Sequence, residues 1–196
     1  MIDKSQIQLL FEETNGIADT NYLVERGLSN YQLKQSVEKG WLVKLKQGLY
    51  KWAEYETEEI FEVAHIVPQG VFCLLTACSF YELTTHVPAQ YQVAIPDERK
   101  VVLPPYPPIK LYYWNEVPFT VGITTVEISS GKIQMYDVEK TVCDVVRHQN
   151  KIGLDVVKEV VKSYLQRKNR NLNQLNTYAK TLNIQRSIHH YLDVLV

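Results

Sequence analysis

The stretch from Ala18 to Trp52, ADTNYLVERGLSNYQLKQSVEKGWLVKLKQGLYKW, constrains the fold more than any other part of the chain. Within it the apolar spacing changes from that of a helix to that of a strand. Ala18 to Arg26 reads as a helix that turns Tyr22 and Leu23 inward and stops at Gly27. Ser29 is a fitting N-cap for the next helix, and Gln32, three residues on, completes a capping box. In that helix Leu33 and Val37 face inward, Tyr31, Lys34, Gln35 and Glu38 face outward, and Gly40 ends it. A helix this short needs partners to pack against. Trp41, Val43 and Leu45 then alternate with Leu42, Lys44 and Lys46, which is the period of a strand. Gln47-Gly48 makes a turn, and Leu49 to Trp52 returns. Upstream, Asp3 caps a helix to Glu13 that carries Ile7, Leu10 and Phe11 at helical spacing, with Leu9 nearby. Three helices followed by a two-stranded ribbon is the pattern of a winged helix-turn-helix, which we place at residues 1–53.

Net charge is −1, so bulk charge points to no nucleic acid, but its distribution does. From Arg26 to Trp52 there are six basic residues and one acid, Glu38. From Glu54 to Glu98 there are eight acids and no Lys or Arg, and from Ile152 onward seven bases face three acids. Blocks of alternating sign imply modules with different partners. The expected DNA-reading residues are Asn30, Tyr31, Lys34 and Gln35, near the start of the third helix, where a recognition helix meets the major groove. Amides pair with adenine, and lysine reaches guanine or phosphate. Lys44, Lys46, Gln47 and Lys51 on the ribbon would contact phosphate, giving affinity and register rather than sequence preference.

Residues 54–196 read as a mixed α+β domain ending in a helical C-terminal segment. Thr57 is the expected cap of a helix to Val67, with Ile60, Phe61 and Ala64 as its apolar stripe. Strands are expected at Val71–Leu74, Tyr91–Ile95, Val101–Leu103, Ile109–Trp114, Thr120–Ile128 and Lys132–Tyr136, and a helix at Thr76–Leu83. Four prolines in the five residues 104–108 exclude a helix or a central strand and predict an extended loop. Asp137 caps a helix to His148 that buries Val138, Val142, Val145 and Val146. Leu154 to Leu165 carries an apolar stripe of Val156, Val157, Val160, Val161, Tyr164 and Leu165. Leu172 to Leu182 forms the next helix, and Ile188, Tyr191, Leu192 and Leu195 mark a last one.

Catalytic and metal-binding patterns are absent. His65, His86, His148, His189 and His190 lack ligand spacing, and Cys73, Cys78 and Cys143 include no Cys-x-x-Cys pair, so they read as buried thiols. No glycine-rich phosphate loop or nucleophile elbow is present. Asp97, Asp137, Glu139 and Lys140 are too loosely spaced for a Mg²⁺ nuclease site; a helix cap and an exposed pair account for them more simply. The chain is therefore expected to be no enzyme and to need no cofactor. No apolar run reaches the roughly 18 residues of a membrane span, and the polar N-terminus is unlike a signal peptide, so the expected location is the cytoplasm.

Three segments resemble the AbiEi-type antitoxins of bacterial and archaeal type IV toxin–antitoxin (abortive infection) systems. They are GWLVKLKQGLYKW in the ribbon, GVFCLLTACSFYELTTHVPAQYQVAIP, and MYDVEKTVCDVVRH, whose Glu139, Lys140, Thr141 and Asp144 align with a family motif. Together they span about residues 16 to 165. The resemblance implies a winged-helix domain that binds inverted repeats in its own promoter as an autorepressor. It also implies a C-terminal domain that neutralises a nucleotidyltransferase-like toxin, without requiring a stable complex. Lys44 and Lys46 stand where the family is more arginine-rich, and lysine lacks arginine's planar fork. The basic residues Lys158, Lys162, Arg167, Lys168 and Arg170 form the surface expected to meet an acidic toxin face or flanking DNA. A competing expectation is a stand-alone transcriptional regulator whose C-terminal domain senses a ligand or mediates assembly.

Overall fold

The computed structural model describes residues 3–195, with side chains up to 193. The expected contribution of Leu195 therefore lies outside the described side chains. The architecture is mixed α+β, with an N-terminal α/β segment and a C-terminal helical stretch. The chain divides into two compact units. The first takes the chain as far as Pro68, together with Val101–Pro107 and Glu127–Ile133. The second takes Gln69–Lys100, Pro108–Val126 and the chain from Gln134 onward. The change of charge sign at residues 53–56 falls inside the first unit.

In the first unit the elements are α1 (Lys4–Glu12), β1 (Ile17–Asp19), α2 (Thr20–Glu25), α3 (Asn30–Glu38), β2 (Leu42–Lys46), β3 (Leu49–Trp52) and α4 (Glu59–Ile66). Asp3 and Ser29 cap α1 and α3 through reciprocal capping boxes with Gln6 and Gln32. Ile7, Phe11, Leu23, Leu28, Leu33, Leu42 and Trp52 close one core. Gly16 takes a φ of +84°, and a Cβ there would lie 2.4 Å from the Tyr55 ring. Glycine is thus required on both conformational and steric grounds.

Three expectations change here. The expected helix start at Ala18 is instead β1, which pairs antiparallel with β3 and makes the sheet three-stranded, in the order β1-β3-β2. Asp19, not Ala18, opens α2, accepting the Tyr22 N–H. An extended entry satisfies backbone groups of β3 that a longer α2 would leave unpaired. In α4, Thr57 does not cap; its hydroxyl donates to Glu62. The buried stripe becomes Phe61, Val63 and Ile66, with Glu62 buried among them. Ile60 and Ala64 are only partly covered.

In the second unit the elements are β4 (Val71–Phe72), α5 (Leu74–Phe80), β5 (Tyr91–Pro96), β6 (Ile109–Trp114), α6 (Glu116–Thr120), β7 (Ile123–Ile128), β8 (Gly131–Tyr136), α7 (Val138–Arg147), α8 (Gln149–Ile152), α9 (Leu154–Gln166), α10 (Leu172–Thr181) and α11 (Gln185–Leu195). The 127–133 end of β7 and β8 is counted with the first unit. The sheet order is β6-β5-β4-β8-β7; β4 pairs antiparallel with β5 and parallel with β8, and β5 pairs parallel with β6. Val142, Val145, Val146, Val157, Val160, Val161, Tyr164, Leu175 and Ala179 pack α7, α9 and α10 into a second core with Ile188 and Tyr191 of α11. Val101–Leu103 forms no strand. The expected strand start at Thr120 is instead the end of α6, whose Pro118 sits in the first turn, where a missing N–H costs nothing. Helix α5 ends at Phe80, which is 39% exposed, rather than continuing to Leu83.

One polar pair lies at full depth in this unit. Lys140 Nζ donates to Asp144 Oδ2 at 2.6 Å, and neither side chain has measurable exposure. The ammonium also lies over the rings of Tyr136, at 4.0 Å, and Trp114, at 4.6 Å. Gly122, at a φ of +75°, lies so close that a Cβ there would approach the Lys140 Cβ to 2.6 Å. Asp144 Oδ1 has no partner among the described residues. Burial pushes the Asp144 carboxyl up from its ordinary 3.8 to about 6, against the downward pull of Lys140. A carboxyl raised in the folded state contributes stability that is fully present below 3.8 and is lost as the pH rises through about 6.

Asp144→Asn should therefore flatten the stability–pH profile between pH 4 and 7, measured by urea unfolding at each pH. At neutral pH it should cost about 3–5 kcal/mol, because the Lys140 charge is left dry and unpaired. The double replacement K140M/D144L should cost less. Equal losses in the single and double variants would refute this account of the pair.

Candidate nucleic-acid interface

Helix α3 is oriented by its buried side. Leu33 has no exposure, and Ser36, also buried, donates its hydroxyl to the Gln32 carbonyl at 2.8 Å. That fixes Asn30, Tyr31 and Lys34 on the exposed face, with Gln35 partly exposed beside them. Tyr31 is 69% exposed and accepts from Gln35 Nε2 at 2.8 Å. Lys34 lies 3.9 Å from Glu38, one turn on.

Strands β2 and β3 turn at Gln47-Gly48, and Gly48 takes a φ of +77°. Lys44 Nζ donates to Gln47 Oε1 at 2.8 Å across the turn. A surface groove of about 580 Å³ is lined by Asn30 and Lys34 from α3 and by Lys44, Gln47 and Tyr50 from the hairpin. Four of the eight expected DNA-reading residues are thus brought together, with Tyr31 and Gln35 on the adjoining row of α3. Tyr50 and Thr20 also line this groove, and neither is singled out by the sequence reading. Tyr50 stands opposite Lys44 in the antiparallel register, so ribbon pairing was the signal that would have found it.

The remaining two residues, Lys46 and Lys51, lie elsewhere. The strict alternation expected for β2 breaks between Lys44 and Lys46, where the register shifts: Lys44 stands opposite Tyr50 and Lys46 opposite Leu49. Leu45 is the extra, bulged residue, buried at 8% exposure, so Leu42 and Leu45 bury while Val43 is 48% exposed. A bulge places two residues against one and turns the following side chain to the other face. Lys46 therefore leaves the side of Lys44 and donates to the Ile66 carbonyl at 2.6 Å. Lys51 pairs with Glu62 at 2.6 Å, and Thr57 donates to the same carboxylate oxygen at 2.7 Å. These two lysines fasten the ribbon to α4.

The basic residues of the second unit are also of two kinds. Lys158 and Lys162 are exposed one turn apart on α9, and Lys168 and Arg170 are exposed beyond it. Arg167 is partly buried and donates to the Tyr81 carbonyl at 2.7 Å, and Arg170 donates to the Arg167 carbonyl at 2.9 Å. Two of the three acids that could suggest metal chemistry, Asp137 and Glu139, have structural partners. Asp137 caps α7 by accepting the Lys140 N–H, and it accepts from Tyr178 Oη at 2.7 Å. Glu139 accepts from Tyr164 Oη and from the Asn171 N–H. Asp97 is exposed on a loop. Among the described residues no group of three His, Cys, Asp or Glu is arranged to hold a metal ion. The three cysteines are free and buried, and burial pushes the thiol of Cys143 up to about 12. Thr84 and Thr85 both donate to Glu159, whose carboxyl the Thr85 N–H bond holds below its ordinary value. No helix among the described residues is long and apolar enough to cross a membrane.

No family model matches the chain, and no curated protein matches it either. A solved structure does resemble it. The crystal structure of the RV2827C protein from Mycobacterium tuberculosis has a TM-score of 0.54 to this chain, at 10% sequence identity, over 96% of this chain and 78% of that one. At that identity the likeness is one of fold.

The Glu62 clamp carries a direct expectation. Glu62→Ala should destabilise the protein by about 2 kcal/mol in chemical unfolding, because a largely buried ammonium loses its charged acceptor. Amide protons of β3 should exchange faster in the same variant. An unchanged midpoint would mean that Lys51 finds water freely.

Proposed function

We propose that the first unit is a winged helix-turn-helix DNA-binding module, with α3 as its recognition helix and the β2–β3 hairpin as its wing. We further propose that the chain is an autorepressing antitoxin of the AbiEi type. The observation that carries the DNA-binding reading is the groove in which the exposed start of α3 and the tip of the hairpin meet, with Asn30, Lys34, Lys44 and Gln47 on its walls. A helix presents its N-terminal side chains to base edges in the major groove, while neighbouring cations and donors hold phosphate. Lys34 and Lys44 supply the charge, and the amides and phenol of α3 supply the directional contacts.

Lys46 and Lys51 take a supporting role in this reading, because both already hold α4. Phosphate contact falls to Lys44, with Gln47 beside it at the turn. For the antitoxin part the support is the resemblance of the three sequence segments. Lys158, Lys162 and Lys168, exposed on the second unit, are the residues offered to an acidic face of a nucleotidyltransferase-like toxin. Arg167 and Arg170 serve to hold the loop that carries Lys168.

Fluorescence anisotropy with duplex DNA from upstream of the gene, against scrambled DNA at several salt concentrations, tests the first part. Preference for the upstream duplex is expected, with affinity falling steeply with salt. Lys44→Ala should weaken binding to both duplexes and reduce the slope of log affinity against log salt by up to about 0.9, the value of one phosphate contact. Equal binding to both duplexes with a flat salt response would refute the module. Co-expression with the candidate toxin tests the second part: K158E/K162E should lose neutralisation while keeping DNA binding.

A further inference from the structure

The proposed reading side of α3 has a chemical bias. We infer that the base pairs facing the start of α3 are A·T pairs, read by the Tyr31–Gln35 couple and by Asn30, an inference that rests on the DNA-binding reading above.

The bias comes from which groups are present and which are already engaged. Guanine is best read in the major groove by a bidentate cation, above all arginine, on its O6 and N7. Up to Pro68 the chain has a single arginine, Arg26. Its guanidinium stacks on the Tyr22 ring at 3.6 Å and lies 3.7 Å from Glu13, so it is committed to the α1–α2 side. Lys34 is the cation of α3 that reaches the groove, and it shares its charge with Glu38. Lysine is a hydrated point charge without a planar fork, suited to phosphate more than to two fixed acceptors. Glu38, the one group here suited to accept from cytosine, also lines the groove, but it stands at the last residue of α3, away from its start, with Lys34 Nζ 3.9 Å from its carboxylate.

The other polar groups on this face are amides. Adenine offers an N7 acceptor and an N6 donor, which match the two ends of a carboxamide. Gln35 Nε2 already donates one hydrogen to Tyr31 Oη. That bond sets the amide plane and leaves one N–H for N7 and Oε1 for the N6 hydrogen. Tyr31 is thus a positioning residue for Gln35. Its ring, 69% exposed, is also an apolar surface for the thymine methyl group. Asn30, one residue earlier and at the groove wall, provides a second carboxamide.

The test uses the full chain and a random-sequence duplex pool, with bound DNA recovered at fixed salt and sequenced. Enrichment of A·T pairs at two or more adjacent positions is expected. Replacing one such pair by G·C should weaken binding about tenfold in anisotropy. Gln35→Ala should remove the preference at one position while leaving salt dependence unchanged. Tyr31→Phe, which deletes only the hydroxyl, should blur the same position. Gln35→Arg should shift that position towards G·C, an outcome that a purely structural role for Gln35 would not produce. Selection of G·C pairs, or salt-dependent binding with no base enrichment, would overturn this inference and leave the DNA-binding module standing. Failure to retain any duplex would overturn the module itself and the inference with it.

Discussion

An ammonium group withdrawn from water must meet a counter-charge, and both units of this chain are built around that requirement. In the second unit Lys140 and Asp144 are one turn apart on α7, so the helix itself supplies the pairing distance. The rings of Trp114 and Tyr136 close over the cation, and Gly122 leaves room for the lysine stem. Strand β8 ends in Tyr136 and runs straight into α7, so one ring of the cage and the charged pair come from one continuous stretch of chain, and Trp114 is added from β6. Replacing such a pair by fitted apolar groups costs little, whereas halving it costs much. It therefore specifies one arrangement of α7 against β6 and β8 more than it adds to stability.

The first unit uses the same chemistry at lesser depth. Lys51 and Glu62, with the Thr57 hydroxyl, tie β3 to α4, and Lys46 adds a bond to the last carbonyl of that helix. The hairpin is thus anchored on one side and open on the other. A two-stranded ribbon is marginal by itself; β1 and α4 give it a third strand and a backing. That support gives Lys44 and Gln47 fixed positions relative to α3 rather than leaving them on a loose loop.

Local patterns in the sequence carried much of this. The Asp3–Gln6 and Ser29–Gln32 capping boxes, the Asp137 cap and the valine stripe of α9 are short-range features, and each stands where its spacing predicts. The grouping of Asn30 and Lys34 with Lys44 and Gln47 also follows from a short helix running into a hairpin. What escaped is non-local. Strand β1 is three residues long and exists because β3 lies beside it. Glu62 reads as one more surface acid until Lys51, eleven residues earlier, is placed against it. A lone acid between Phe61 and Val63 was the available clue. Glu139 and Lys140 read as an exposed pair, but Lys140 is fully buried against Asp144, and only the surrounding rings show that it is dry.

The bulge at Leu45 sorts two lysines of equal charge into different trades. In a regular strand Lys44 and Lys46 would share a face and would be interchangeable as cations. One additional residue sends the first towards α3 and the second towards α4. The hairpin should accordingly be more sensitive to the register of this segment than to its spelling. Exchanging lysine for arginine at either position keeps each charge on its own side, whereas a regular register that keeps Leu45 between them would put both lysines on one face. Charge counts along β2 therefore say little about what the strand can grip, because the unit of information there is the spacing.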